Sequence, residues 1–164
     1  MTASASDPFR TELRPGDEEA VRAIVASTGF FNAEEIDIAV ELVQERRAKG
    51  DASGYHFLFL DIDGRTVGYA CYGPIPATVS SHDLYWIAVQ AGARGHGLGQ
   101  RLMAATERAI ARAGGTRVYA ETSSRPQYEP TRAFYRRCGY RVEADLVDFY
   151  APGDGKVIFG KVVG

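Results

Sequence analysis

The sequence predicts a mixed α/β fold in which about seven strands form one mostly antiparallel sheet flanked by about four helices. Three observations carry this. Asp83-Leu84-Tyr85-Trp86-Ile87-Ala88-Val89 is a short apolar and aromatic run; glycines at 92, 95, 97 and 99 follow, then Leu98, Leu102, Ala105, Ala109 and Ala113 at helical spacing. Residues 55–61 and 66–72 are aromatic and β-rich, and the Asp63-Gly64 pair between them is a hairpin signal. Beyond Gly114-Gly115, residues 117–122 read as a parallel neighbour of the central strand, with the intervening helix as the right-handed crossover.

The remaining elements follow in order. Residues 9–14 alternate enough for an edge strand, ended by Pro15-Gly16. Asp17 is expected to cap a helix with Ala20, Val21, Ile24 and Val25 as its apolar stripe. Asn32 or Ala33 starts a second helix, with Ile36, Ala39, Val40 and Val43 inward. Phe30-Phe31 between these helices reads as core or as one wall of a substrate pocket, core being favoured. After the second parallel strand comes a polar loop over residues 123–130. A short helix over 131–138 closes at Gly139, and two strands, 140–150 and 156–163, form a closing hairpin.

At 164 residues the chain is expected to be a single domain over 1–164, with residues 1–8 flexible. A net charge of -2 offers no general attraction to nucleic acid or to an anionic membrane. No segment approaches about 18 apolar residues, and residues 1–8 lack the apolar core of a signal peptide, so a cytoplasmic protein is expected. Cys71 and Cys138 are too few for a disulfide framework, and His56, His82 and His96 have no metal-ligand spacing.

A glycine loop running into a helix is an anion site on physical grounds: the backbone can approach closely, and the first helical amides have no internal partner. A tight turn holding no ligand is the alternative, and Arg94 and His96 between the glycines weigh against it. The loop fails as a Walker loop, because Gly99-Gln100-Arg101 replaces Gly-Lys-Ser/Thr. It fails as a dinucleotide fingerprint because the third glycine falls one place early.

Arg94-Gly95-His96-Gly97-Leu98-Gly99 does resemble the pyrophosphate loop of the GNAT acetyltransferases: Gln or Arg, two residues, Gly, one residue, then Gly or Ala. Phe134-Tyr135-Arg136-Arg137-Cys138-Gly139-Tyr140 is similar to that family's second signature, although Tyr128 and Thr131 stand where the family often has Asn and Ala. The resemblance covers almost the whole chain and implies a sheet whose central parallel strands splay apart. It implies acetyl-CoA as cosubstrate, held by Ile87, Ala88 and Val89, by Arg94, Gly95, His96, Gly97, Leu98, Gly99 and Gln100, and near Thr131 and Phe134. It also implies that a backbone amide near Val89 hydrogen-bonds the thioester carbonyl.

An acceptor amine must attack unprotonated, so a base or a water chain must take its proton. Asp83 and Tyr85 share one face of the central strand, and they and Glu121 match positions where members of the family carry a base. Asp83 could instead end the preceding loop, Tyr85 could simply pack, and Glu121 in an apolar strand needs a site role or an Arg partner. Tyr135, by resemblance, protonates the departing thiolate, a buried core aromatic being the alternative. The expected activity is direct acetyl transfer to a small-molecule amine or amino-acid-like acceptor. A protein N-terminal or lysine acetyltransferase and a non-catalytic acetyl-CoA sensor are the alternatives, and a homodimer is left open.

Overall fold

The structure is a computed structural model that describes residues 7–164, so most of the segment expected to be flexible, residues 1–6, lies outside the described residues. Its elements are β1 (Phe9–Arg10), α1 (Asp17–Ser27), α2 (Ala33–Lys49), β2 (His56–Ile62), β3 (Arg65–Pro74), β4 (Ser81–Val89), α3 (Leu98–Arg112), β5 (Arg117–Ser123), α4 (Glu129–Arg137), β6 (Arg141–Ala151) and β7 (Asp154–Val162). Among the described residues seven strands form one sheet in the order β1-β2-β3-β4-β5-β7-β6. β4 and β5 are parallel; the β1–β2, β2–β3, β5–β7 and β6–β7 pairs are antiparallel. This is the mixed sheet with a central parallel pair that the sequence predicts.

The chain divides into two compact units, Met1–Tyr72 with Trp86–Ala105, and Gly73–Tyr85 with Thr106–Gly164. In the first, Val21, Ile24 and Val25 of α1 and Ala39, Val40 and Val43 of α2 form a core with Phe57, Phe59, Tyr69, Cys71 and Ala88 of the sheet. Phe31 packs against this core edge-on to Trp86, with ring centroids 4.8 Å apart, which bears out the core reading for Phe31. Asn32 caps α2 in a capping box with Glu35. Asp63 and Gly64 make the turn between β2 and β3, both at positive φ.

Asp17 does not cap α1. Gly16 precedes the helix and Asp17 is its first residue, buried and bonded to the Arg10 guanidinium at 2.9 Å and the Arg14 amide at 2.6 Å. The same guanidinium donates to Asp61 at 2.9 Å and Thr66 at 3.2 Å. Two bonds to a guanidinium outweigh a single bond to a helix amide, so the carboxylate turns back to β1. Of the strand expected over 9–14, only Phe9 and Arg10 pair, with Leu60 and Phe59.

In the second unit, β4 and β5 pair from Ser81↔Arg117 to Leu84↔Ala120. Both strands continue past the last pair, β4 to Val89 and β5 to Ser123. α4 begins at Glu129 rather than 131 because Pro130 in its first turn is pre-set for a helix. Tyr135 on α4 lies 5.3 Å from Phe159 and 5.9 Å from Tyr140, ring centre to ring centre. The closing hairpin is tighter than expected, leaving only Pro152 and Gly153 between the strands.

Candidate active site

The glycine loop of the first unit is built by backbone. Ser27 on α1 fixes its entrance by accepting the Ala91 amide at 3.0 Å, and Gln90 donates to the Val67 carbonyl at 2.7 Å. After a 3-10 turn over Ala91–Ala93, Gly95 and Gly97 adopt φ of 94° and 67°. A Cβ at either would meet nothing within 4 Å, so glycine is required by the dihedral and not by crowding. The first α3 bond outside the strict helix runs from the Arg101 amide to the Gly97 carbonyl at 3.1 Å. Helical geometry therefore leaves the amides of Leu98, Gly99 and Gln100 without an acceptor in the helix. Leu98 and Leu102 are buried and anchor this turn, while Arg94, His96 and Gln100 are exposed. Open space, left-handed glycines and orphan amides together fit a diphosphate. Before the loop, Ile87 is half-buried and Ala88 and Val89 are buried.

The carboxylates lie in the second unit. Asp83 stands opposite Tyr119 across the parallel pair, so Asp83, Tyr85, Tyr119 and Glu121 share one face of the sheet. Glu121, for which a site role or an Arg partner is expected, is bound by the Lys156 ammonium at 2.9 Å, a cation other than Arg. Lys156 in turn sits 3.9 Å from the centre of the Phe149 ring and 5.7 Å from that of Tyr150. Asp83 is half-buried, and burial first and the Glu121 charge second push its carboxyl above the ordinary range, against the opposing pull of His82. Tyr85 follows on the same face and is 39% exposed.

Tyr135 is buried, and burial foremost pushes its phenol well up, so it carries its proton at neutral pH. Thr131, one helical turn earlier, lies on the same side of α4, and both it and Phe134 are half-buried. Burial also raises the Cys71 and Cys138 thiols, which disfavours either as a thiolate nucleophile. Two residues escaped the sequence reading. Lys156 carries no spacing signal, because its partner is set by strand register. Arg132 is buried and donates to the Ser123 carbonyl at 2.6 Å, the Arg125 carbonyl at 3.0 Å and Glu129 at 2.9 Å, tying the loop after β5 to α4.

Comparison with known proteins follows the same lines. The model of the acetyltransferase (GNAT) family matches residues 19–140. The chain is 47% identical to a protein from Desulfovibrio desulfuricans assigned to the GNAT acetyltransferases, with a TM-score of 0.93 over 95% of this chain and 98% of that one. An aminoglycoside 6'-N-acetyltransferase solved with coenzyme A shares the fold at 16% identity and a TM-score of 0.74, over 94% of this chain and 96% of its own. The ribosomal-protein-S18-alanine N-acetyltransferase of Escherichia coli does so at 16% identity and 0.72, over 95% and 93%. No curated protein matches the chain in sequence. A loop shaped for a diphosphate, a family match over most of the chain and a close structural relative lead to one assignment: the chain belongs to the GNAT family of acetyltransferases, enzymes whose acyl donor is acetyl-CoA.

Proposed function

We propose that the protein transfers acetyl from acetyl-CoA to the primary amine of a small molecule, by direct attack in a ternary complex, with the chain acting as a single domain. The observation that carries this reading is Asp83: a half-buried carboxylate with a raised proton affinity, on an open sheet face with Glu121, Tyr85 and Tyr119. Carboxylates and aromatic rings suit an ammonium ion. Once the acceptor is bound, Asp83 takes its proton directly or through water, and Tyr85 lines the face beside it. Because Glu121 is already paired with Lys156, it serves as the second carboxylate rather than the base.

Acetyl-CoA supplies an activated thioester. The residues that would hold it are the amides of Arg94, Gly95, His96, Gly97, Leu98, Gly99 and Gln100, the strand end Ile87, Ala88 and Val89, and Thr131 and Phe134. An amide near Val89 donates to the thioester carbonyl as negative charge grows, and the Tyr135 hydroxyl donates its proton to the leaving sulfur. The two raised thiols favour direct attack over an acetyl-cysteine route. No helix among the described residues is long and apolar enough to cross a membrane, and two free cysteines suit a reducing cytoplasm.

A second reading, a protein amine as acceptor, rests on β6. This strand is last in the sheet order and exposes Val147, Phe149 and Tyr150, an edge to which an extended chain, or a second copy of this one, could add. Release of the CoA thiol across a panel of polyamines, amino acids, aminoglycosides and short peptides separates the readings. Turnover best with a small amine supports the proposal. Faster transfer to a peptide favours the second reading, and no turnover with any amine leaves a non-catalytic binder.

A further inference from the structure

The hairpin of β6 and β7 is irregular in a way that serves one side chain. Between the pairs Leu146↔Lys156 and Ala151↔Asp154, β6 has four residues where β7 has one. The extra length is absorbed by Asp148 at a φ of 55°, whose carboxylate accepts the Gly153 amide at 2.8 Å. β7 passes so close beneath that a Cβ on Gly155 would lie 2.8 Å from the Leu146 carbonyl oxygen. The result folds Phe149 and Tyr150, each about half exposed, back over Lys156. The Lys156 side chain is only 15% exposed although its partner Glu121 is 47% exposed.

An exposed ion pair alone contributes little stability, and two aromatic faces turned to one ammonium do more to fix where that charge sits. Its place matters because Glu121 lies on the same face as Asp83 and is a like charge to it. The other groups beside this pair in the unit are His82, which also acts on Asp83, and Tyr85 on β4, Tyr119 on β5, Tyr150, which feels the Glu121 and Lys156 charges, and Glu143, which meets Tyr119 at Gly160. Glu143 is paired with Arg141, and Asp154 with Arg125. Lys156 is thus the cation placed against the carboxylate that acts on Asp83.

We propose that Lys156 is a positioning residue: caged by Phe149 and Tyr150, it neutralises Glu121 and leaves Asp83 as the single working carboxylate of the face. The catalytic part of this rests on Asp83 being the base, while the charge arrangement can be read without any substrate. The test is the titration of the Asp83 carboxyl by carbon NMR, beside the acidic limb of kcat/KM against pH, in wild type, Lys156→Met, Lys156→Arg, Glu121→Gln and the Lys156→Met/Glu121→Gln pair.

The expected result is that Lys156→Met moves both midpoints up by about half to one pH unit. Lys156→Arg keeps them near wild type, Glu121→Gln moves them down, and the double variant returns close to wild type because the two charges removed are opposite in sign. An Asp83 titration unchanged in Lys156→Met, with activity lost equally at every pH, would overturn the proposal and leave Lys156 a hairpin strut. Should Asp83→Asn retain full activity, the base assignment falls, yet the NMR titration still decides whether Lys156 governs Asp83.

Discussion

Two groups of carboxylates are treated in opposite ways by this fold. In the first unit, the Arg10 guanidinium stacks 4.4 Å over Phe59 and is bonded by Asp17, Asp61, Thr66 and the Glu12 carbonyl, with Arg14 adding to Asp61. Burial alone would raise Asp61, but the hydrogen bonds from Arg10 and Thr66 and the charge of both arginines bring its carboxyl below the ordinary range. In the second unit, Asp83 has burial and a like charge against it and is raised. A carboxylate whose every oxygen is matched stabilises a fold. One whose ionised form the surroundings disfavour is a group kept for chemistry.

That contrast can be broken or sharpened by substitution. The largest expected effect is on activity: Asp83→Asn should lower kcat/KM by about 10²–10⁴-fold, measured by CoA thiol release, without lowering the melting temperature. Asp17→Ala should do the reverse. It removes one partner of a pair that is almost wholly buried while Asp61 still holds Arg10, and should cost about 1–3 kcal/mol in denaturant unfolding while kcat/KM of the remaining folded enzyme is kept. A third variant, Tyr135→Phe, keeps the ring packed on Phe159 and removes only the hydroxyl; it should lower kcat at least about tenfold with little change in stability.

A smaller effect separates the clusters by pH. Wherever the raised Asp83 carboxyl is ionised it costs the fold free energy, so Asp83→Asn should be the more stable protein above the raised value. That advantage should vanish as pH falls through the raised value towards about 3.9, where the aspartate is protonated in both states. Asp61 has the opposite sign: its contribution is present above the unfolded value and is lost as pH falls through its lowered folded value. Melting temperatures of wild type and Asp83→Asn across this range check both signs. An advantage that grows in acid would contradict the assignment of Asp83.

The comparison also explains which parts could be read from sequence. The loop from Arg94 to Gly99 works through backbone, so its requirement is written as glycine spacing and is visible in the letters. The hairpin at Asp63-Gly64 and the parallel return at residue 117 are legible for the same local reason. Asp17 was misread as a cap because its true partner, Arg10, reaches it from β1 and also binds Asp61, 51 residues away. Lys156 was missed because its partnership with Glu121 depends on the β5–β7 register and on an irregularity in β6 that no short pattern encodes.

The most direct test of the account is thermal unfolding of wild type, Asp83→Asn and Gly97→Glu, each with and without acetyl-CoA at about 100 times the wild-type dissociation constant. Wild type and Asp83→Asn should each gain about 2.7 kcal/mol, a rise of several degrees, because the donor is held by the backbone of the loop and not by the carboxylate. Gly97→Glu, measured against its own ligand-free baseline, should gain nothing. An equal gain in Gly97→Glu, or no gain in wild type, would contradict the placement of the donor on this loop.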